Sequence, residues 1–416
     1  MGFFSKTQDK SGEFIIGLDA GTTKVCVIVG EVKDGGIDII GIGSAPSRGL
    51  KKGVVVNIES TVESIKNAVQ EAEMMSGVEI KSVYAGTAGR HIKSISSSGV
   101  VAVKDKEIDQ SEVERVVNAA GAVAIPFDRE ILHVIPSSFT VNGQNGISDP
   151  CGMEGVRLEA DVQIITGDAT SVHNLIKSCQ KAGIEVIDVF FEPLASASLI
   201  LSEDEKELGV ALIDIGGGTT DITIFQGGCI RHIAALPVGG GNFTNDIAIG
   251  MRMQVSEAED IKKKYGASML SLVREDEKIE ISGGEERTIG SVPRRHLIEI
   301  LQPRAEELFT LIKEELMESG LHGSLVSGVV LTGGGAAMEG MNIMAQNVLE
   351  LPVRTGVPSG IINMMGIAYK PEYLTGMGLV YYGAEEILTE QRAGNSGKFG
   401  GMMTRLKSWA KGSIRF

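Results

Sequence analysis

Cysteine is scarce and scattered. Cys26, Cys151, Cys179 and Cys229 are the only four in 416 residues, with no Cys-x-x-Cys pair and no neighbouring histidine pattern. A disulfide framework and a zinc site are therefore excluded, and free buried thiols in a reducing compartment are expected. No apolar run approaches the ~18 residues of a spanning helix. The opening stretch MGFFSKTQDKSGEF has no signal-peptide core, and Lys6 stands where a myristoylation signal needs Ser or Thr. A protein made and kept in the cytosol is the expectation. Basic residues are outnumbered, 39 against 54 acidic, for a net charge of −15. Such a surface repels phosphodiester backbones, so no nucleic-acid partner is expected. Also missing are the G-x-x-x-x-G-K-[ST] loop and a G-x-G-x-x-G following a strand, which excludes Walker-type and Rossmann nucleotide sites.

Glycine is abundant: 54 residues, nearly double the typical ~7%. Tight turns and close backbone approaches follow. At roughly 150 residues per domain, the chain is too long for one core. EFIIGLDAGTTKVCVIVGEV reads as strand, Gly/Thr turn, then a second strand from Lys24 to Val29, and GVALIDIGGGTTDITIFQGG repeats that plan with Val210 to Ile213 and Ile222 to Phe225. Each copy is followed by a third strand (Ile37 to Ile42; Cys229 to Leu236) and helical patterning (Thr61 to Glu73; Ile247 to Tyr265). The duplication predicts two similar α/β domains facing a shared cleft. Residues 13–83, 168–202 and 356–388 form the first domain, with 84–167 an inserted α/β subdomain. Residues 203–241 and 294–355 form the second, with 242–293 its own small subdomain. A polar, glycine-rich linker follows over 389–400, then a helix over 401–416.

Three segments carry chemistry. In DAGTTK, Asp19 ends a strand, Gly21 permits the turn, and Thr22 and Thr23 offer hydroxyls and backbone N–H groups ahead of Lys24. Successive inward N–H groups make an anion nest suited to phosphate oxygens. In DIGGGTTD, Gly216, Gly217 and Gly218 remove every Cβ from the turn before Thr219 and Thr220, so that backbone can also close on a phosphate. Asp19 and Asp214 would then face each other across the cleft, a pair that suits Mg²⁺ held through its retained waters. In VVLTGGGAAMEG, Val329 to Leu331 form a strand, and Gly333, Gly334 and Gly335 a turn from which Ala336 and Ala337 open a helix; that backbone can lie flat against a nucleoside. Any one of these turns alone reads as an ordinary corner. Three together, two with Asp in the same place, read as a nucleotide site.

The order DAGTTK, DIGGGTTD, LTGGG resembles the actin, sugar-kinase and DnaK-type chaperone superfamily, whose two related domains, of ribonuclease H-like fold, clamp ATP·Mg²⁺. FEPLASASL from Phe191 and YLTGMGLVYYG from Tyr373 resemble its two inter-domain connectors. In EAEDIKKKYG, Glu259, Lys262 and Lys263 match helix positions that approach ribose and adenine in bacterial members; an exposed helix face with i,i+3 pairing is the alternative. Within the superfamily the resemblance is to the FtsA family of bacterial cell-division proteins and spans nearly the whole chain. It is carried by SRGLKKGVVVNIESTVESI from Ser47 and by the insert ILHVIPSSFTVNGQNGISDPCGMEGVRLEADVQIITG from Ile131. The resemblance implies an actin-like fold with the family's SHS2-like insert, self-assembly into protofilaments, a contact with FtsZ, recruitment of later divisome membrane proteins, and a place on the cytoplasmic face of the inner membrane at the division site.

The membrane expectation also stands on the residues. Beyond Glu390 there is no acidic residue, while Arg392, Lys398, Arg405, Lys407, Lys411 and Arg415 are basic, which leaves −21 on the rest of the chain. Phe399, Met402, Met403, Leu406, Trp409 and Ala410 fall on one helical face, and Trp409 is the sole tryptophan. Such a helix lies in a bilayer interface with its cations on anionic headgroups. A helix docked on the protein's own body, or a calmodulin-type target, is the alternative.

Two further functions compete: a small-molecule kinase of the same fold, with Glu192 or Asp221 as base, and a pilus-assembly relative. Glu192 is the candidate for orienting water in any slow ATP hydrolysis, or else a connector residue beside Pro193 with no chemical role. An assembly protein, not an enzyme, is the reading adopted. For the FtsZ contact, Arg294 and Arg295 are the candidate receivers of an acidic peptide; solvated surface charge is the alternative.

Overall fold

A computed structural model describes residues 13–33, 36–283, 287–363 and 370–393. Two sheets carry the duplication. In the first, the strands Gly36–Pro46, Lys24–Lys33 and Glu13–Ala20 form an antiparallel meander, extended in parallel by Ser82–Thr87 and then Glu185–Phe191. In the second, Cys229–Leu236, Thr220–Gln226 and Val210–Ile215 form the meander, extended in parallel by Val329–Thr332 and then Val353–Thr355. The strand order and the directions match one for one. The first sheet adds a short edge strand, Ile361–Asn363, beside Gly36–Pro46.

The helix Ile58–Ser76 shows how local sequence sets a boundary. Asn57 caps its start by accepting from the Ser60 N–H at 3.0 Å, and Gly77 ends it in the left-handed region at φ 72°. Its buried stripe of Val62, Ile65, Ala68, Val69 and Ala72 covers Leu18, Val27 and Val29 of the sheet. On the opposite face of the first sheet, the connector helices Glu192–Ile200 and Leu374–Ala393 lie against each other and bridge to the second sheet. Their core joins Ile15 and Ile28 of the first domain to Leu212, Phe225 and Val330 of the second. A Cβ at Gly378 would collide with the Ala195 carbonyl, so glycine is what lets these two helices touch backbone to backbone.

The insert is a four-stranded antiparallel sheet, ordered Lys93–Ala102, Arg157–Asp168, Arg129–Val141, Gln144–Ile147, with the helix Gln110–Gly121 on one face. Val113, Val116, Val117 and Ala120 of that helix meet Phe139, Leu158, Val162 and Ile164 in a core of its own.

Several elements depart from the sequence expectations. The pattern from Ile247 to Tyr265 is two helices, Gly240–Gly250 and Val255–Tyr265, separated where Arg252 takes φ 55°. Their apolar residues Phe243, Ile247, Ala258 and Ile261 share one core with Leu297, Leu301 and Leu308 of the helix Arg294–Glu318. After Gly334–Ala337, a 3₁₀ turn, the helix begins only at Met341, not at Ala336. The last helix runs to Ala393, through positions 389–393 that composition assigns to the linker. Cys26 and Cys179 are buried free thiols, whereas Cys151 is exposed. The basic residues and apolar face from Phe399 onward lie outside the described residues.

Candidate functional site

Both sheets end their first hairpin at the same place, a cavity of about 210 Å³ between the domains. Asp19 and Asp214 are the equivalent acidic positions of the two first strands, paired across their hairpins with Cys26 and Asp221. Both line the cavity, with Gly21, Thr22, Thr23 and Lys24 from one turn and Gly216, Gly217 and Thr219 from the other. The two turns also touch. A Cβ at Gly218 would lie 2.8 Å from Thr22 Oγ1, so only bare backbone fits there. Thr22 Oγ1 accepts from the Gly53 N–H at 3.2 Å, which ties the turn to the following basic hairpin.

The Gly/Thr turn of the second domain is braced from behind. The Gly240 N–H donates to the Gly216 carbonyl at 2.8 Å and the Gly241 N–H to the Gly217 carbonyl at 2.7 Å. Thr220 does not reach the cavity: its side chain is fully buried and its hydroxyl donates to the Val238 carbonyl at 2.8 Å. Gly218 likewise faces Thr22 and is not among the lining residues. These two members of the expected binding set hold the turn together.

Among the carboxylates lining the cavity, Asp19, Asp214 and Asp221 lie close enough to Glu192 for their charges to act on it. Burial raises Asp19 above the ordinary carboxylate range, with the Lys24 charge working against it. Burial, then the charges of Asp221 and Asp19, push Asp214 up to about 7. Burial lifts Asp221 to about 6, opposed by hydrogen bonds from the Thr219 hydroxyl and the Gly89 N–H. Glu192 is raised well above its usual value by burial and then by Asp19, Asp214 and Asp221. Carboxylates that cost this much to ionise together are short of positive charge. Among the described residues no three acidic, His or Cys side chains are close enough to hold a metal directly.

Lys24 lines the cavity but is occupied: its ammonium donates to the Glu372 carbonyl at 2.5 Å and sits 4.3 Å from the centre of the Tyr373 ring. The wall opposite is Glu259, Lys262 and Lys263. Lys262 donates to the Gly240 carbonyl at 2.9 Å and to Thr244 Oγ1 at 2.8 Å, and pairs with Glu259 at 2.6 Å. Lys263 pairs with the other Glu259 oxygen at 3.4 Å. Desolvation works against the charge on Glu259, yet Lys262 and the Thr244 hydroxyl hold it below its ordinary range. The helix presents this i,i+3 acid–base pair to the cavity, with Lys263 largely exposed beside it. The third glycine turn, Gly333 to Gly335, completes the floor. Gly333 has φ 83°, and a Cβ there would collide with Asp214 Oδ1.

Sequence reasoning missed several participants. Thr375 donates to Asp214 Oδ2 at 3.4 Å, and Gly86 gives Glu192 its room, since a Cβ there would lie 2.7 Å from Glu192 Cγ. The run Gly239 to Gly241, a fourth glycine cluster in the sequence, braces the second turn through the Gly240 and Gly241 N–H groups. Arg294 is a correction. Its guanidinium is committed inside the domain, to the Tyr265 carbonyl at 2.8 Å, Glu277 at 2.9 Å and Glu339 at 2.7 Å, with only 12% of the side chain exposed. Arg295 is about half exposed beside Glu299.

The comparisons agree with this architecture. The family described as "Cell division protein FtsA" matches residues 211–378, and "SHS2 domain inserted in FTSA" matches residues 89–166. The chain is similar to cell division protein FtsA of Pseudomonas aeruginosa, 44% identical, covering 97% of this chain and 99% of the relative. It is 38% identical to that of Escherichia coli K12 (96% and 98% covered) and 42% identical to that of Bacillus subtilis (89% and 84%). Among solved structures, the PilM–PilN type IV pilus biogenesis complex aligns with TM-score 0.63 at 17% identity, covering 89% of this chain and 98% of that one. MreB5 of Spiroplasma citri bound to ADP aligns with TM-score 0.54 at 16% identity, covering 92% and 99%. The MamK double helical filament aligns with TM-score 0.53 at 13% identity, covering 89% and 98%. The fold is actin-like, with an SHS2 insert.

Proposed function

The chain belongs to the FtsA family of cell division proteins, and from that premise we propose that it binds ATP·Mg²⁺ in the cleft, assembles into protofilaments and moors the FtsZ ring to the inner membrane. The observation that carries the nucleotide reading is the convergence of two matched Asp-tipped turns on one carboxylate-rich cavity. Backbone N–H groups of the turns at Gly21 to Thr23 and Gly216 to Thr219 would cradle phosphate oxygens, and Asp19 and Asp214 would hold Mg²⁺ through its waters. The cation would supply the positive charge that the raised carboxylates lack. Glu259, Lys262 and Lys263 would flank the ribose and adenine, with Gly333 to Gly335 against the base. Glu192, whose carboxyl is held well above its usual range by burial and by Asp19, Asp214 and Asp221, would orient water in any slow ATP hydrolysis.

The MreB5 structures bound to ADP and AMPPNP, and the MamK filament, are consistent with nucleotide-linked assembly in this fold. The tail, with Phe399, Met402, Met403, Leu406 and Trp409 on one face and Arg405, Lys407 and Lys411 among its cations, would lie on anionic lipid. One such helix, weakened by Gly400, Gly401 and Gly412, binds feebly; a filament carrying many raises the effective concentration of each and attaches firmly. Arg295 remains the exposed candidate for an acidic FtsZ peptide, and later divisome membrane proteins would gather on the same filament.

Liposome co-sedimentation with and without ATP·Mg²⁺ tests this, comparing the intact chain with one ending at Gln391. The intact chain should pellet with anionic vesicles, while the shortened chain stays in solution and still binds nucleotide. Equal pelleting of both would remove the membrane role. A kcat of about 1–10³ s⁻¹ on ATP plus a small acceptor would favour the kinase alternative.

A further inference from the structure

The insert touches the strand end behind the cleft through one buried histidine. His133, on the insert strand Arg129–Val141, accepts a hydrogen bond at Nε2 from the Phe191 N–H at 2.9 Å. Phe191 ends the edge strand of the first sheet and is the N-cap of the helix Glu192–Ile200, so the next residue is the cleft carboxylate Glu192. That helix start has no side-chain cap, and Pro193 contributes no N–H. The Phe191 residue is paired in the sheet with Thr87, and its amide finds its acceptor in another subdomain. An accepting Nε2 places the ring proton on Nδ1. The imidazole plane is fixed by Phe190, edge-on at 4.4 Å, which in turn stacks on Tyr382 at 3.7 Å. The root of the same strand is clamped by Arg129, which donates to Thr166 Oγ1 at 2.9 Å and to the His91 carbonyl at 3.1 Å.

We propose that His133 is a positioning residue for the nucleotide site, through which the inserted subdomain holds the Phe191–Glu192 corner in place and so couples its own orientation to cation and nucleotide binding. By linkage, whatever shifts the insert changes cleft affinity, and cleft occupancy biases the insert by the same factor. This rests on the ATP·Mg²⁺ reading above.

The test uses the full chain and measures the Mg²⁺ concentration giving half-maximal binding of a fluorescent ATP analogue. H133F keeps an aromatic ring against Phe190 and loses the acceptor; H133Q keeps an acceptor and loses the ring. H133F should raise the half-maximal Mg²⁺ roughly fivefold, about the worth of one buried hydrogen bond, and H133Q should stay within about twofold. In an E192Q background the H133F effect should vanish, because the two act through one corner. If H133F does not fold, hydrogen exchange at the Phe191 amide of the unaltered protein takes its place, and should slow on adding Mg²⁺ and the analogue. H133F behaving as the unaltered protein, H133Q failing as badly as H133F, an H133F effect that persists with E192Q, or unchanged Phe191 exchange overturns the proposal. An unaltered protein that binds no nucleotide overturns the cleft reading instead.

Discussion

Gly217 of the second domain lies against Thr23 of the first, so closely that a Cβ at position 217 would come within 2.7 Å of Thr23 Oγ1. The cleft closes because that turn is bare backbone. The flanking glycines serve the same approach from other directions, Gly218 against Thr22 and Gly333 against Asp214.

Gly217→Ala should therefore hold the turns apart. Overpacking of this kind costs about 1–3 kcal/mol, which corresponds to a loss of roughly five- to 150-fold in nucleotide affinity where the strain falls on the bound state. Fluorescent-nucleotide titration reads it, and unaltered affinity would show that the turns need not meet.

The raised carboxylates set a pH dependence. Burial and the charges of Asp221 and Asp19 push Asp214 up to about 7, and burial lifts Asp221 to about 6, both above the ordinary 3.8. The folded state thus binds more protons than the unfolded one between about pH 4 and 7, so stability falls as pH rises through that window. Thermal melts in chelator should show the fall, and Mg²⁺ should flatten it. Asp214→Asn should flatten it in chelator as well, while removing the Mg²⁺ dependence of nucleotide binding.

Thr220→Val separates structure from ligand contact. It leaves the Val238 carbonyl without the hydroxyl that serves it, at about 1–3 kcal/mol of stability. Nucleotide affinity at temperatures well below the melt should not change.

Arg294→Ala should lower stability by about 1–3 kcal/mol, since it strands Glu277 and Glu339 and frees the Tyr265 carbonyl. Arg295→Ala should stay within about 0.5 kcal/mol, as exposed pairs do. Denaturant melts of the two variants settle which arginine is structural. FtsZ binding that survives Arg295→Glu would remove the remaining arginine from that contact.

Much of the fold was legible because its signals are local. Val210 to Ile215 and Glu13 to Ala20 are apolar strands ending in Asp before a glycine turn, and a meander of short connections can hardly be paired otherwise. The insert showed its own alternation around a capped helix, since Asp109 accepts from the Glu112 N–H at its start. Periodicity failed where it reports a face without reporting a break. From Ile247 to Tyr265 the apolar spacing carries on, although the helix breaks around Arg252, at φ 55°, and two helices bring that stripe to one core.

The amino-acid sequence by itself determined the duplicated hairpins, their Asp-tipped turns and the basic, acid-free tail, because each is written in a few neighbouring residues. Only the tertiary structure decided that Lys24 bonds a carbonyl 348 positions away, that Thr375 reaches Asp214, that Arg294 is spent internally, and that His133 stands behind Glu192. Those pairings arise where close-packed backbones leave one polar group within reach of another, and spacing along a chain carries no record of which distant group that will be.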